Sequence, residues 1–317
     1  MTSVSAGPLL ASDRSSYHSG IMTGTPPAEV EVDEQMVTGL VARQCPAFSG
    51  ESVELLGHGW DNWMFGLGEG QVVRLPRRAV AVPLLEHEVR HLPGLAKRLP
   101  IPVPAPLFAG SGDADYPWPW LIAPRFEGRN ADEEPPAVGQ ALRLADFLLA
   151  LHRPDHGLAP SNDHRGIALH LRDAKIRSYW DSLTRQGEPL PQPLVELWEQ
   201  ACRLPPPKDS VWLHGDLHYA NVLVRSGEFS AIVDWGDVCS GDPATDLAAV
   251  WSLFDDRSAR HSALTAYGAD GDLICRAMGW AVSFGIILLS TGLADNPRHA
   301  AAGRAVLRRV CSDIGSF

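Results

Sequence analysis

The chain has 317 residues, 45% hydrophobic and 21% charged, ordinary values for a globular protein of one large domain or two lobes. Its net charge of −11 argues against a nucleic-acid binder, which needs a basic face, and is compatible with a cationic small-molecule partner. The five cysteines, Cys45, Cys202, Cys239, Cys275 and Cys311, are scattered without C-x-x-C spacing, as expected of reduced thiols in a cytoplasm.

Residues 1–28 are rich in Ser, Gly, Thr and Pro and lack a sustained apolar run. They read as a disordered leader rather than a secretory signal, with Met22 as an alternative start. Val32–Gln44 has an acidic start and apolar Met36, Val37, Leu40 and Val41, the spacing of a short amphipathic helix. Val53–Leu56 and Trp63–Leu67 read as strands joined by a turn over 57–62, and Gln71–Leu75 as a third strand after Gly70. Gly57 and Gly59 in that turn would let backbone N–H groups approach phosphates closely. Arg74 in the third strand is either an exposed edge residue or a phosphate ligand.

The helix after Pro83 contains His87-Glu88-x-x-His91, the spacing of a zinc-protease motif. Pro93 and Gly94 follow at once and are expected to disturb that helix, and no third ligand motif follows. Ile101–Phe108 is a proline-broken linker, and Trp118–Pro124 a strand leaving at Arg125–Gly128. Val138–His152 reads as a helix with Leu142, Ala145, Leu149 and His152 on one face, His152 being a buried, hydrogen-bonded side chain rather than a catalyst. Arg153–Leu171 is loop-rich. Asp173–Arg185 and Leu194–Cys202 are further helices, the second stopped by Pro205-Pro206-Pro207.

The next stretch organises the chain. Val211–Leu213 runs into His214-Gly215-Asp216. Val222–Val224 and Ser230–Val233 flank the turn Arg225–Glu228, and the second run ends at Asp234-Trp235-Gly236-Asp237. A hairpin there would bring Asn221 and Asp234 together, with Asp216 at the same strand ends. Oxygen ligands of this kind suit Mg²⁺ with substrate phosphates, and a further carboxylate can take a proton from a hydroxyl. The spacing matches the protein-kinase pattern H-x-D-x-x-x-x-N followed by D-x-G, with Gly215 in place of Arg and Trp235 in place of Phe. Asp242-Pro243 opens a helix through Phe254, and Asp246 is expected to brace the catalytic loop. Asp255 and Asp256 end that helix, where carboxylates oppose the dipole, which hints at a task such as holding substrate ammonium groups. Cys275–Ala294 is apolar and about long enough to span a bilayer, but its Ser283, Ser290, Thr291 and three glycines favour a core helix.

HGDLHYAN followed by IVDWGDVCSGDPATDLA resembles the aminoglycoside phosphotransferase family, with Tyr219-Ala220 where that family usually has Pro-Gly. The resemblance extends to the G-x-G-W-D-N stretch at Gly57–Asn62. It implies an α+β, two-lobed protein-kinase-like fold with a small antiparallel-sheet N-lobe over residues 30–125 and a larger, mainly helical C-lobe over 126–317. It implies ATP or GTP as co-substrate with Mg²⁺, Asp216 as the base or orienting carboxylate, and Asn221 and Asp234 on the metal. Arg74 stands where kinases have a phosphate-contacting Lys and would pair with Glu88; Gly57 and Gly59 would cover the phosphates. Ala123 would lie at the hinge against the adenine. The implied reaction is phosphorylation of a hydroxyl on an aminoglycoside or related antibiotic, with Asp237, Asp255 and Asp256 as candidate anchors for a cationic acceptor. Kinases of choline, homoserine or sugar type, a non-catalytic nucleotide-binding protein and a zinc hydrolase are the alternatives. A cytoplasmic monomer or homodimer, free of membrane and nucleic acid, is the expected setting.

Overall fold

The structure, a computed structural model, describes residues 26–316. Most of the expected leader therefore lies outside the described residues. The last of its positions, Ala28, is already partly buried against the N-lobe core.

Helix α1 (Glu34–Gln44) starts at Asp33, whose carboxylate accepts from the Met36 amide, and buries Val37, Leu40 and Val41. The strands β1 (Val53–His58), β2 (Asn62–Leu67), β3 (Gln71–Pro76), β4 (Phe108–Gly110) and β5 (Trp120–Pro124) form one antiparallel sheet in the order β1-β2-β3-β5-β4. β1 runs past its expected end: the register shifts between Leu55 and Gly57, and Gly57 and His58 still pair with Met64 and Trp63. The tip is thus shorter than the sequence suggests.

Helix α2 (Val82–Leu95) continues through Pro93 instead of breaking there. Leu92 and Leu95 are buried in the core of the helical part, and this burial outweighs the hydrogen bond that proline omits. The α2 helix therefore belongs to both parts of the molecule.

The C-terminal part holds helices α3 (Gln140–Leu151), α4 (Asp173–Arg185), α5 (Gln192–Arg203), α6 (Ala244–Leu247), α7 (Ala249–Leu253), α8 (Arg257–Tyr267), α9 (Gly271–Asp295) and α10 (Pro297–Asp313). Two small antiparallel sheets join them. One pairs β7 (Val211–Leu213) with β10 (Cys239–Gly241); the other has the order β6 (Arg129–Asn130), β8 (Val222–Arg225), β9 (Glu228–Ile232). The buried face of α3 is Ala141, Leu144, Ala145, Phe147, Leu148 and Leu151, whereas Leu142 and Leu149 are exposed, contrary to the expected face. The single helix expected after Asp242 is two short ones, α6 and α7. Helix α9 is long and apolar enough to cross a membrane by length and composition, yet 89% of its apolar window is buried inside the protein.

Candidate active site

The register of β7 with β10 builds the first half of the site. Leu213 pairs with Cys239, so the residues just after β7 lie beside those just before β10. Gly215 sits there with φ +86, and a Cβ on it would stand 2.3 Å from the Asp237 carbonyl oxygen. An arginine, as in protein kinases, has no room. The loop is pinned from below by buried Asp246, whose carboxylate accepts from the amides of His214 (2.7 Å) and Gly215 (2.9 Å). The same carboxylate lies 3.2 Å from His152 Nε2, and His152 Nδ1 is 2.9 Å from the Tyr267 hydroxyl. Both the bracing role of Asp246 and the buried, bonded state of His152 follow the sequence expectation. His214 is buried too: its Nδ1 accepts from the Asp216 amide (3.2 Å) and its Nε2 lies 3.0 Å from the Val233 carbonyl. It shapes the loop and faces no opening.

Asp216 meets more partners than the motif foretells. Arg165, from the loop between α3 and α4, donates to its Oδ1 at 2.7 Å. His218 Nε2 lies 3.4 Å from Oδ2, and Asn221 Nδ2 is also 3.4 Å from it. Burial alone would raise this carboxyl; the Arg165 guanidinium, with His218 and His214, overrides it and holds Asp216 well below the usual carboxylate range. Asp237 lies beside it, accepting from Asn162 Nδ2 at 2.8 Å and 3.9 Å from Arg165. Burial raises its carboxyl; Arg165 opposes the rise and Asp216 adds to it.

The β8–β9 hairpin builds the second half, turning at Ser226-Gly227 as the sequence indicates. Val222 pairs with Ile232, and the Val233 amide donates to the Asn221 carbonyl at 2.9 Å, which sets Asn221 beside Asp234. Asn221 Nδ2 donates to the Asp216 carbonyl at 2.8 Å, leaving Oδ1 as its open group. Asp234 has φ +62, a strained conformation for a non-glycine residue, and its side chain is 57% exposed. Trp235 is fully buried, donating to the Ile232 carbonyl at 2.9 Å and packing on His214 at 4.7 Å. The two open oxygens, Asn221 Oδ1 and the Asp234 carboxylate, are hard donors of the type a small divalent cation takes together with phosphate.

The third element comes from the N-lobe. Arg74 on β3 donates to Glu88 on α2 at 2.5 Å, and its other terminal nitrogen reaches Asp234 at 3.5 Å. Arg74 is thus a buried bridge between sheet, helix and the second motif, and not an edge residue. Burial pushes Glu88 up to about 7 despite Arg74 beside it, with Asp234 adding to the rise. A Cβ on Gly236 would lie 3.0 Å from that of Leu84, so α2 rests directly on the Asp234 turn. Glu88 faces Arg74, away from a base's role beside His87 and His91, whose rings lie 6.4 Å apart, and His91 packs on Trp212 at 5.3 Å. No group of three His, Cys, Asp or Glu able to hold a metal occurs among the described residues.

Gly57 and Gly59 lie at the open β1–β2 tip, with free space where their side chains would be. Near that tip Asp61, which the sequence reading passed over, pairs with Arg78 at 2.7 Å; burial and the nearby Asp234 push it up to about 6. Ala123 is buried with Val72, Leu121 and Leu85, and its strand pairs it with Val72. Its backbone groups face β3, since the neighbouring Ile122 carbonyl accepts from Leu107 on the other side and the Arg125 amide donates to Gly70. Ala123, fully buried and with its backbone groups paired to β3, offers a ligand no hinge hydrogen bond.

Two of the expected acceptor anchors are placed differently from the helix end the sequence suggests. Asp256 does not end a helix; it caps the start of α8, accepting from the Ala259 amide at 2.8 Å, where the dipole favours it. Asp255 accepts from Arg309 at 3.0 Å. Arg165, Asn162 and His218 were missed because they act through a loop fold and not through spacing. The one available signal was the Asn-Asp-His-Arg-Gly run in an otherwise ordinary loop.

Residues 52–278 match the phosphotransferase enzyme family known as APH. The uncharacterized protein YcbJ of Bacillus subtilis is 26% identical over 136 residues, 40% of this chain, so the match spans only 42% of that relative. Among solved structures, the GDP complex of wild-type aminoglycoside 2'-phosphotransferase-IIIa has a TM-score of 0.64 at 21% identity, over 89% of this chain and 100% of that one. The apoenzyme of macrolide 2'-phosphotransferase MphH from Brachybacterium faecium has a TM-score of 0.56 at 21% identity, over 86% of this chain and 97% of that one. At such identities the likeness is one of fold, and it is the two-lobed, kinase-like fold described above. The family match spans well over half of the sequence and both motif loops: the chain belongs to the phosphotransferase enzyme family.

Proposed function

We propose that this phosphotransferase moves the γ-phosphate of ATP or GTP to a hydroxyl of a small molecule, with Mg²⁺, in the cytoplasm. The observation that carries the reading is the Arg74 guanidinium, which ties Glu88 to Asp234 next to the open Asn221 oxygen and the Asp216 carboxylate. Residues 30–125 would hold the nucleotide, with the Gly57–Gly59 tip over the phosphates. Residues 126–317 would supply the transfer machinery.

Each residue then has one task. Arg74 sits where it can neutralise phosphate oxygens, and Glu88 fixes its direction. Asn221 Oδ1 and Asp234 would hold the metal, which when bound supplies charge neutralisation on the phosphates. Asp216, kept ionised by Arg165, accepts a hydrogen bond from the acceptor hydroxyl and aligns that oxygen with the phosphorus. A carboxylate this acidic is a weak base, so its contribution is alignment in the approach, with proton removal late in the transfer. Catalysis is therefore positioning and charge stabilisation without a covalent intermediate.

The test is nucleotide turnover with Mg²⁺ across aminoglycosides, macrolides and small hydroxyl metabolites, the first two being the classes named for structural neighbours. Acceptor-dependent turnover that Asp216→Asn abolishes, with nucleotide binding intact, supports the reading. Normal turnover in that variant removes Asp216 from its assigned task.

A further inference from the structure

Arg165 lies in none of the motifs, yet it stands beside the group that would orient the acceptor. One of its terminal nitrogens is 2.7 Å from Asp216 Oδ1 and 3.9 Å from Asp237 Oδ2, so a single N–H group spans both carboxylates. Two acids side by side are what a polyamine acceptor would need for an ammonium group beside its reacting hydroxyl. Here an internal cation already occupies that niche.

The surroundings hold Arg165 in place. Its guanidinium lies over Phe284 at 5.3 Å, and Phe284 packs on Trp280 at 5.9 Å. Arg172 stacks on the other side, 5.2 Å from the Trp280 centroid, donating to the His164 carbonyl at 2.5 Å and reaching Ser283 at 3.3 Å. Arg165 alone contacts the two aspartates, and Arg172 stands behind it on Trp280. An ammonium placed between the two carboxylates would meet the Arg165 guanidinium as a like charge, whereas a hydroxyl oxygen could accept from it. The remaining acids expected to bind a polycation, Asp255 and Asp256, are engaged by Arg309 and by a helix start.

We propose that Arg165 is a positioning and specificity-determining residue that fills the cation niche between Asp216 and Asp237, so that the acceptor is a hydroxyl compound with no ammonium group beside the reacting hydroxyl. This rests on the phosphotransferase reading above and narrows its substrate class to hydroxyl compounds without an ammonium group next to the reacting hydroxyl.

The experiment is calorimetric titration of the full chain, with and without Mg²⁺ and a non-hydrolysable nucleotide, using spermidine and kanamycin as polycation probes. The wild type is expected to show no saturable binding of either. Arg165→Ala and Arg165→Gln vacate the niche and are expected to gain about tenfold or more in affinity. That gain should vanish in the Arg165→Ala, Asp237→Asn double variant. A purely structural role for Arg165 would lower stability without creating polycation binding. Saturable kanamycin binding by the wild type that Asp237→Asn weakens overturns the proposal, and this arm needs no Arg165 variant to fold. Unchanged polycation affinity in a folded Arg165→Ala overturns it as well. The nucleotide titration alone, without probe, reports separately on the phosphotransferase reading, which fails if no nucleotide binds.

Discussion

Two arginine–carboxylate pairs frame the site, and their acids end up shifted in opposite directions. Arg74 and Glu88 meet at 2.5 Å with side-chain exposures of 7% and 1%; Arg165 and Asp216 meet at 2.7 Å with 18% and 23%. Glu88 has one cation against nearly complete burial, and Asp234 adds a like charge, so its carboxyl rises to about 7. Asp216 has a guanidinium and two imidazoles around it, so its carboxyl falls despite burial. Contact with an arginine does not by itself make a strong acid; the sum of donors against desolvation does. The first pair is built as a strut between sheet and helix; the second tunes the carboxylate proposed to orient the acceptor.

The largest expected effect separates the two. Asp216→Asn keeps the side-chain shape and the contact with Asn221 but gives up the ion pair with Arg165, so stability should fall while the fold is kept, and phosphoryl transfer should fall by roughly 10²–10⁴-fold. Single-turnover kinetics beside a thermal unfolding midpoint would check this. Glu88→Ala should do the reverse in emphasis. It strands a buried guanidinium, at a cost on the order of 3–5 kcal/mol in stability, and weakens nucleotide binding through a misdirected Arg74. Glu88→Gln, which still offers Arg74 an acceptor, should be milder in both. If Asp216→Asn unfolded the protein and Glu88→Ala did not, the contrast between strut and tuned group would collapse.

The next effect is on pH dependence, and its sign differs between the pairs. Glu88 is raised from 4.5 to about 7, so its folded form holds a proton more tightly than the unfolded chain does. Its stabilising contribution is fully present below about pH 4.5 and is lost as pH rises through about 7. Asp61, raised from 3.8 to about 6, acts in the same sense. Asp216 is depressed below 3.8, so its contribution is present above that value and lost as pH falls further. Urea unfolding from pH 4.5 to 7.5 should therefore show a downward component that Glu88→Gln removes and Asp216→Asn leaves alone. An unchanged slope in Glu88→Gln would mean that the pair titrates elsewhere.

The same contrast explains what could be read from the sequence. Asp216, Asn221 and Asp234 were legible because their geometry is local: a strand pair and a two-residue turn fix it within a few positions. Arg74 and Glu88 were legible only through a family resemblance, since nothing in their spacing joins a strand to a helix. Arg165 was illegible because its meaning depends on a loop folding back over α9. In α3, leucines occupy both Leu142 and Leu149 on one side and Leu144, Leu148 and Leu151 on the other, so apolar periodicity supports two faces and packing selects one. Pro93 misled in the opposite direction, because the burial of Leu92 and Leu95 supplies what the missing hydrogen bond does not.

The smallest expected effects concern Asp255 and Asp256, and they bear on the acceptor. Both were expected at a helix end, where a carboxylate is unfavourable and a functional reason would be needed. The chain instead leaves α7 at Phe254 in an extended conformation and restarts at Asp256. Asp256 therefore sits at a favourable helix start, and its oxygen already holds the Ala259 amide and the Ser258 hydroxyl. Asp256→Ala should lower the unfolding midpoint by loosening the first turn of α8 and leave acceptor KM and kcat unchanged. Asp255→Ala removes the exposed partner of a mostly buried Arg309 that still holds the Trp251 and Ser252 carbonyls, so its effect should be small, about 1 kcal/mol, with turnover unchanged. A rise in KM confined to cationic acceptors in either variant would restore these residues to the acceptor site. It would also count against a built-in cation at Arg165, since a site that relies on Asp255 or Asp256 to bind ammonium groups has no reason to neutralise Asp216 and Asp237 from within.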